Sequence, residues 1–149
     1  MTPSLNYCTQ QCLFCWRAQS SDLKAHRDET KFATSDSPEN IANESIKAQL
    51  KILSGYKGNP NVNEREVQGG HDAEARGNQP HREATLYPQI SELIQAYHKK
   101  GFTTFLVING TNPSTLTTIK EEPTQLYVSV CAPDEATFKR VCRPRTQKA

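Results

Sequence analysis

Two short runs, FTTFLVI at 102–108 and QLYVSV at 125–130, limit the folds open to this chain more than any other feature. Both are rich in β-branched and aromatic residues and read as strands. A helical stripe precedes the first: Ile90, Leu93, Ile94 and Tyr97 fall on one face. His98, Lys99 and Lys100 suit the negative end of that helix, and Gly101 stops it. The turn NGTNPS and a short helical or irregular stretch separate the strands, and Asp134 to Val141 reads as a further helix. This order implies an α/β fold with parallel strands joined by right-handed crossovers. Ligands of such sheets meet the loops at the C-terminal strand ends, which here are Asn109–Gly110 and Ser129–Val130.

The first half of the chain is sparser. In DSPENIANESIKAQLKILSG, Ser37 is placed to cap a helix and Pro38 to start it. Ile46, Leu50 and Leu53 form its apolar stripe, and Gly55 can end it. Hydrophobic residues make up only 35% of the 149, with the deficit concentrated in 17–45 and 55–85. That length allows one domain, residues 1–149. No run of apolar residues reaches membrane-spanning length, and MTPSLNYCTQ lacks the basic and apolar parts of a secretory signal. The chain therefore reads as cytoplasmic, with no membrane partner. A net charge of +2 does not by itself argue for a polyanion partner.

Five cysteines in such a chain favour metal binding over disulfides. Three lie in CTQQCLFCWR as C-x3-C-x2-C: Cys8, Cys12 and Cys15. A structural zinc needs a fourth ligand. His26, Cys131 or Cys142 is available for it, though none has the usual paired spacing. A [4Fe–4S] cluster on three cysteines leaves one iron open to a substrate or cofactor. A cysteine module holding zinc or iron without catalysis is the alternative reading, and plain buried thiols are another.

C-x3-C-x2-C with an aromatic before the third cysteine resembles the motif of radical S-adenosylmethionine (SAM) enzymes. The string MTPSLNYCTQQCLFCWR resembles one branch, the wybutosine-synthesis enzymes known as tRNA 4-demethylwybutosine synthases. LSGYKGNPNVNE, ATLYPQISELIQAYHKKGFTTFLVINGT and PTQLYVSVCAPDEATFKRVCRP continue the likeness, which omits residues 18–35 and 69–83. The resemblance implies a partial radical SAM (β/α) barrel, with Cys8, Cys12 and Cys15 on a [4Fe–4S] cluster whose open iron chelates SAM. One electron then splits SAM to methionine and a 5′-deoxyadenosyl radical. The radical takes a hydrogen from the methyl group of N1-methylguanosine-37 in phenylalanine tRNA, and pyruvate supplies two carbons for a new ring. The electron comes from a donor such as flavodoxin or ferredoxin. Phe14 and Trp16 are expected beside the cluster, excluding water, or else as ordinary hydrophobic anchors. Glu83 and Thr85 stand where the family's Gly-Glu-Pro-Thr segment holds the amino group of SAM. Phe14 in the cysteine loop, and Asn109 and Ser129 at the strand ends, are further expected SAM contacts. As alternatives, Asn109–Gly110 is a turn needing a permissive backbone, and Ser129 is a lone serine.

Several features depart from the family. GGHDAEARGNQPHRE, residues 69–83, stands where the family has a buried strand, yet it contains no β-branched residue. The expectation is a disrupted strand there, leaving a gap in the sheet between the helix at 39–54 and that at 88–100. Permissible codons for the stretch, read one base along, give EAMMPKHAAISLTGE, which joins ATLYP as a family-like strand and loop. We therefore read 69–82 as out of frame, restored just before Glu83. A divergent polar loop is the alternative, and His71 and His81 carry no functional weight. The family's second-cluster cysteines and pyruvate-binding lysine lie upstream of the motif, so the chain resembles an internal fragment, a truncated and inactive copy.

The remaining polar and thiol groups read more plainly. Cys131 and Cys142 are expected as small buried residues, and Asp134 and Glu135 as acids at a helix start. Arg140, Arg143, Arg145 and Lys148 read as a solvated basic tail rather than a phosphate-binding one. The coding DNA through residues 66–86 is expected to yield the family-like peptide in the neighbouring frame. A DNA sequence unable to encode it removes the out-of-frame reading.

Overall fold

The computed structural model describes residues 3–17, 19, 29–32, 34–56, 58–63, 65 and 83–145. The first helix, α1, runs Pro38–Ser54. The Ser37 hydroxyl accepts from the Asn40 N–H, and Pro38 opens the first turn, as its fixed φ favours. Gly55 closes the helix in a right-handed conformation, its N–H directed at the carbonyls of Ile52 and Leu53. The apolar face is rotated from the stripe expected. Pro38 and Ala42 are buried, Ile41 and Ile46 pack on the core, and Leu50 is exposed. The rotation follows from what α1 packs against. Ser45 Oγ is hydrogen-bonded to the Tyr97 hydroxyl at 2.7 Å, and only a small residue such as Ala42 fits alongside.

After a 3-10 turn at Ala84–Leu86 comes α2, Ile90–His98. All four expected stripe residues, Ile90, Leu93, Ile94 and Tyr97, are buried there. With Ala42, Ala84, Tyr87, Ala96, Leu106 and Ile108 they make the core. Gly101, at φ 78°, reverses the chain where an L side chain is disfavoured. The Phe102 N–H then returns to the Tyr97 carbonyl, and the two rings meet edge to face. That closure delays the strand: β1 is Phe105–Ile108 rather than 102–108.

A short helix, α3 (Pro113–Thr118), crosses to β2 (Gln125–Val128), which pairs parallel with β1, Phe105 opposite Gln125 and Ile108 opposite Val128. The register is fixed at its start. Thr104 N–H donates to Thr124 Oγ1 at 3.0 Å, and Thr124 N–H donates back to Thr104 Oγ1 at 3.1 Å. His98 bridges the same place, with Nε2 2.9 Å from Thr104 Oγ1 and Nδ1 2.6 Å from Glu121 Oε1. These two strands are the whole sheet among the described residues, and Leu126, Tyr127 and Val128 on β2 are each about half exposed. The segment expected to be disrupted, 69–82, lies outside the described residues, as do His26, His71, His81 and Lys148.

The last helix, α4, is Glu135–Cys142, capped by Asp134, whose carboxylate accepts from the Thr137 N–H and hydroxyl. Those bonds hold the Asp134 carboxyl below its usual range. Arg143, left-handed at φ 47°, turns the chain back along the cysteine loop. Leu13 N–H donates to Val141 O at 2.9 Å, and Gln11 N–H to Cys142 O at 3.1 Å. The loop thus supplies donors to carbonyls that a helix end leaves open. Gln10 and Pro144 form an antiparallel bridge, and Arg145 N–H donates to Thr9 O.

Arg145 is not a solvated tail residue. Its Nη2 is 2.8 Å from Glu29 Oε2, and the two side chains are 17% and 1% exposed. The Glu29 carbonyl accepts the Cys8 N–H at 2.8 Å, so this pair brackets the start of the cysteine loop from both sides. Arg140 and Arg143 are exposed, as expected. Arg145→Ala, which strands a buried carboxylate, is expected to cost about 3 kcal/mol of folding stability. Arg140→Ala should stay within about 0.5 kcal/mol in the same urea titration. Equal losses from the two variants would contradict the bracketing role.

Candidate functional site

The site forms where three separate segments meet: the cysteine loop, the stretch from Glu83 to Tyr87, and the turn after β1. Glu83 is only 1% exposed. Its carboxylate accepts from the Thr85 N–H and hydroxyl through one oxygen and from the Asn109 N–H, at 2.8 Å, through the other. Its own N–H is directed at the Tyr7 carbonyl, just before Cys8. The carboxylate therefore ties the end of β1 to the segment preceding α2.

Asn109 completes a closed hydrogen-bond ring. Its Nδ2 donates to Thr9 Oγ1 at 2.9 Å, and the Thr9 hydroxyl lies 2.5 Å from that of Thr111. The Thr111 hydroxyl donates back to Asn109 Oδ1 at 2.7 Å, and the Thr111 N–H reaches the same oxygen at 3.0 Å. The directions are mutually consistent, so each group polarises the next. Asn109 Nδ2 also lies 3.9 Å from Cys8 Sγ, joining the ring to the first thiol. Gly110, at φ 74°, makes the turn possible. A Cβ there would come 3.2 Å from Val128 Cγ1, so both the backbone and the neighbouring strand favour glycine. Asn112 Nδ2 donates to Thr85 O at 3.2 Å and holds the far side of the turn.

Cys8, Cys12 and Cys15 share one part-exposed loop and none is in a disulfide. A turn with Cys15 N–H on Cys12 O brings the last two together. The Cys12 thiol donates to Gln10 Oε1 at 3.2 Å, and Gln19 Nε2 donates to the Cys12 carbonyl. Burial, then the neighbouring thiols of Cys142 and Cys8, push the Cys12 thiol up to about 12. Without a metal it stays protonated at neutral pH, and a bound metal must displace that proton. Among the described residues no three His, Cys, Asp or Glu side chains converge closely enough to hold a single metal ion. Three thiols on one part-exposed loop are the donor set that an iron–sulfur cluster with one open iron takes, whereas a structural zinc needs a fourth ligand. The cluster therefore fits the residues present.

Of the SAM contacts expected from sequence, Glu83, Thr85 and Asn109 converge. Ser129 lies one strand over, its N–H donating to Ile108 O at 2.8 Å, and its side chain is exposed. Phe14 and Trp16, expected beside the cluster or as hydrophobic anchors, are 57% and 79% exposed, and the loop's backbone is turned toward α4. The Arg17 guanidinium lies over the Trp16 ring at 4.9 Å. Cys142 is buried, as expected, whereas Cys131 is exposed, with Sγ 3.9 Å from the Ser129 carbonyl. Thr9, Thr111 and Glu29 belong to the site's framework although the sequence singled out none of them. Thr9 and Thr111 sit inside segments already marked, C-T-Q-Q-C and N-G-T, while nothing local marks Glu29.

Comparison with known proteins agrees with this geometry. The chain is 44% identical to the S-adenosyl-L-methionine-dependent tRNA 4-demethylwyosine synthase of Pyrococcus abyssi, over 97% of this chain and 42% of that protein. The Saccharomyces cerevisiae enzyme of the same name is 35% identical over 97% of this chain and 17% of its own. A solved structure of TYW1 with a lysine-pyruvate adduct bound superposes with a TM-score of 0.79 at 33% identity, covering 97% of this chain and 45% of that one. The chain thus spans less than half the length of these relatives. Residues 2–149 match the radical SAM superfamily, and with the three-cysteine loop set against the ends of parallel strands, the chain belongs to that superfamily.

Proposed function

We propose that this chain carries the cluster- and SAM-binding part of a tRNA-modifying radical SAM enzyme. The observation that carries the reading is the hydrogen-bonded ring of Thr9, Asn109 and Thr111, anchored on Glu83 and lying directly against Cys8. Cys8, Cys12 and Cys15 hold a [4Fe–4S] cluster. When bound, that cluster supplies the electron that cleaves SAM to methionine and a 5′-deoxyadenosyl radical. The protein's part is to orient and shield. Asn109 and Thr111 fix the wall beside Cys8, and Glu83 holds that wall against Thr85. Ser129, just after β2, is an exposed hydroxyl at the C-terminal end of the neighbouring strand.

The relatives support tRNA and pyruvate as the substrates in this reading. Their names specify tRNA and the product 4-demethylwyosine, in place of the 4-demethylwybutosine expected from sequence. A lysine-pyruvate adduct in one structural relative supports pyruvate as the carbon donor. N1-methylguanosine-37 of phenylalanine tRNA is the acceptor, and a flavodoxin or ferredoxin supplies the electron. No described helix is long and apolar enough to cross a membrane.

Anaerobic reconstitution with iron and sulfide is expected to give a brown protein whose cluster absorbance is lost in Cys12→Ala. Stoichiometric zinc with no cluster would overturn the reading. Asn109→Ala opens the ring without removing a thiol. It is expected to keep its iron while weakening SAM binding by about tenfold in calorimetry, and unchanged affinity would remove Asn109 from the SAM site.

A further inference from the structure

Cys142 has no part in the cluster reading, yet the fold sets it against a cluster ligand. Gln11 N–H bonds Cys142 O at 3.1 Å and Leu13 N–H bonds Val141 O at 2.9 Å, so the backbone is held to the end of α4 on both sides of Cys12. Gln10 and Pro144 continue the same antiparallel register, which sets Cys12 opposite Cys142. A disulfide spans about 4.4–6.8 Å at Cα, a range open to residues that face each other between flanking backbone hydrogen bonds. The side chains agree with the backbone. After burial, the Cys142 thiol is the leading neighbour that raises the Cys12 thiol, and it acts on the exposed Cys131 as well. Cys142 is fully buried and Cys12 is part-exposed, so Cys12 is the thiol a small reagent meets first.

We propose that in the cluster-free protein Cys12 and Cys142 form a disulfide that withdraws a ligand from the cluster loop. The oxidant is a low-molecular-weight disulfide. The Cys12 sulfur attacks it through its minor deprotonated fraction, forming a mixed disulfide and releasing one small thiol, which takes up the proton that Cys12 lost. The Cys142 sulfur then displaces the second small thiol and closes the Cys12–Cys142 bond. Two protein thiols lose two electrons and two protons, and both pass to the two small thiols released. The linkage stands on the loop's geometry alone. Only its consequence for iron loading rests on the proposed cluster.

The test uses the full chain, prepared iron-free and reduced, then incubated anaerobically with oxidised glutathione. Alkylation and peptide mapping are expected to show one cross-link, Cys12 to Cys142, with the titratable thiols falling from five to three. Cys142→Ser and Cys142→Ala should instead carry glutathione on Cys12. A Cys8–Cys15 or Cys131–Cys142 cross-link, or five thiols remaining in the folded protein, would overturn the proposal. Iron uptake by the oxidised chain is expected to fall to about a tenth of the reduced chain's, because a ligating thiolate is lost, and dithiothreitol should restore it. A mapped cross-link with undiminished iron uptake would overturn the consequence while leaving the linkage standing. Failure of the reduced chain to load iron at all would count against the cluster itself.

Discussion

A single buried carboxylate holds the site together. Taking a carboxylate out of water costs several kcal/mol, and hydrogen bonds to a charged group return about 1.5–3 kcal/mol each. Glu83 is almost fully buried, and its bonds to Thr85 and Asn109 offset that cost only if both segments are in place. The 3-10 turn and the end of β1 therefore form together or not at all. The core below them has the same logic. Ala84 and Tyr87 flank Thr85 and pack with Leu106 and Ile108, so the polar contact lies directly above the apolar one.

The other organising contact is the end of α4. A helix terminus leaves carbonyls without partners, and here the cysteine loop provides N–H donors from Gln11 and Leu13. The loop has no regular structure of its own and takes its shape from this edge and from the Glu29–Arg145 pair. Its two sides have different supports. Cys8 and Thr9 lean on the ring of Asn109 and Thr111, whereas the backbone on either side of Cys12 is held to Val141 and Cys142. A change at the C-terminal end of α4 would thus reach Cys12 before it reached Cys8.

Much of this was legible in the sequence where a local rule decides the outcome. Ser37 and Pro38 start α1, Asp134 starts α4, and the 90–97 stripe is buried as its period requires. The parallel pairing of β1 and β2 followed from the order of elements. What the sequence hid depends on which surfaces meet. Leu50 is exposed because α1 turns Ala42 and Ser45 toward Tyr97. Phe14 and Trp16 are exposed because the loop is held by its backbone. Arg145 looked like a tail residue because its partner, Glu29, is far away in sequence and lies in a stretch with no periodic signal. For the site, the three thiols and Asn109 were marked by motif and position. Thr9 and Thr111 matter only as members of a ring closed by tertiary contact.

The atypical stretch and the buried carboxylate now bear on each other. Glu83 is the last residue of GGHDAEARGNQPHRE, so the family-like sequence resumes at a side chain that the site uses. From Glu83 onward the side chains have defined roles. Glu83 bonds Asn109, Thr85 bonds Glu83, and Tyr87 fills the core while its hydroxyl donates to the Asp36 carbonyl. Contacts among the described residues also join the segments on either side of the stretch. Ser45 meets Tyr97 directly, and Phe32 meets Tyr87 edge to face. The hydrogen bonds that join Cys8, the ring and Glu83 therefore run between segments on either side of 69–82.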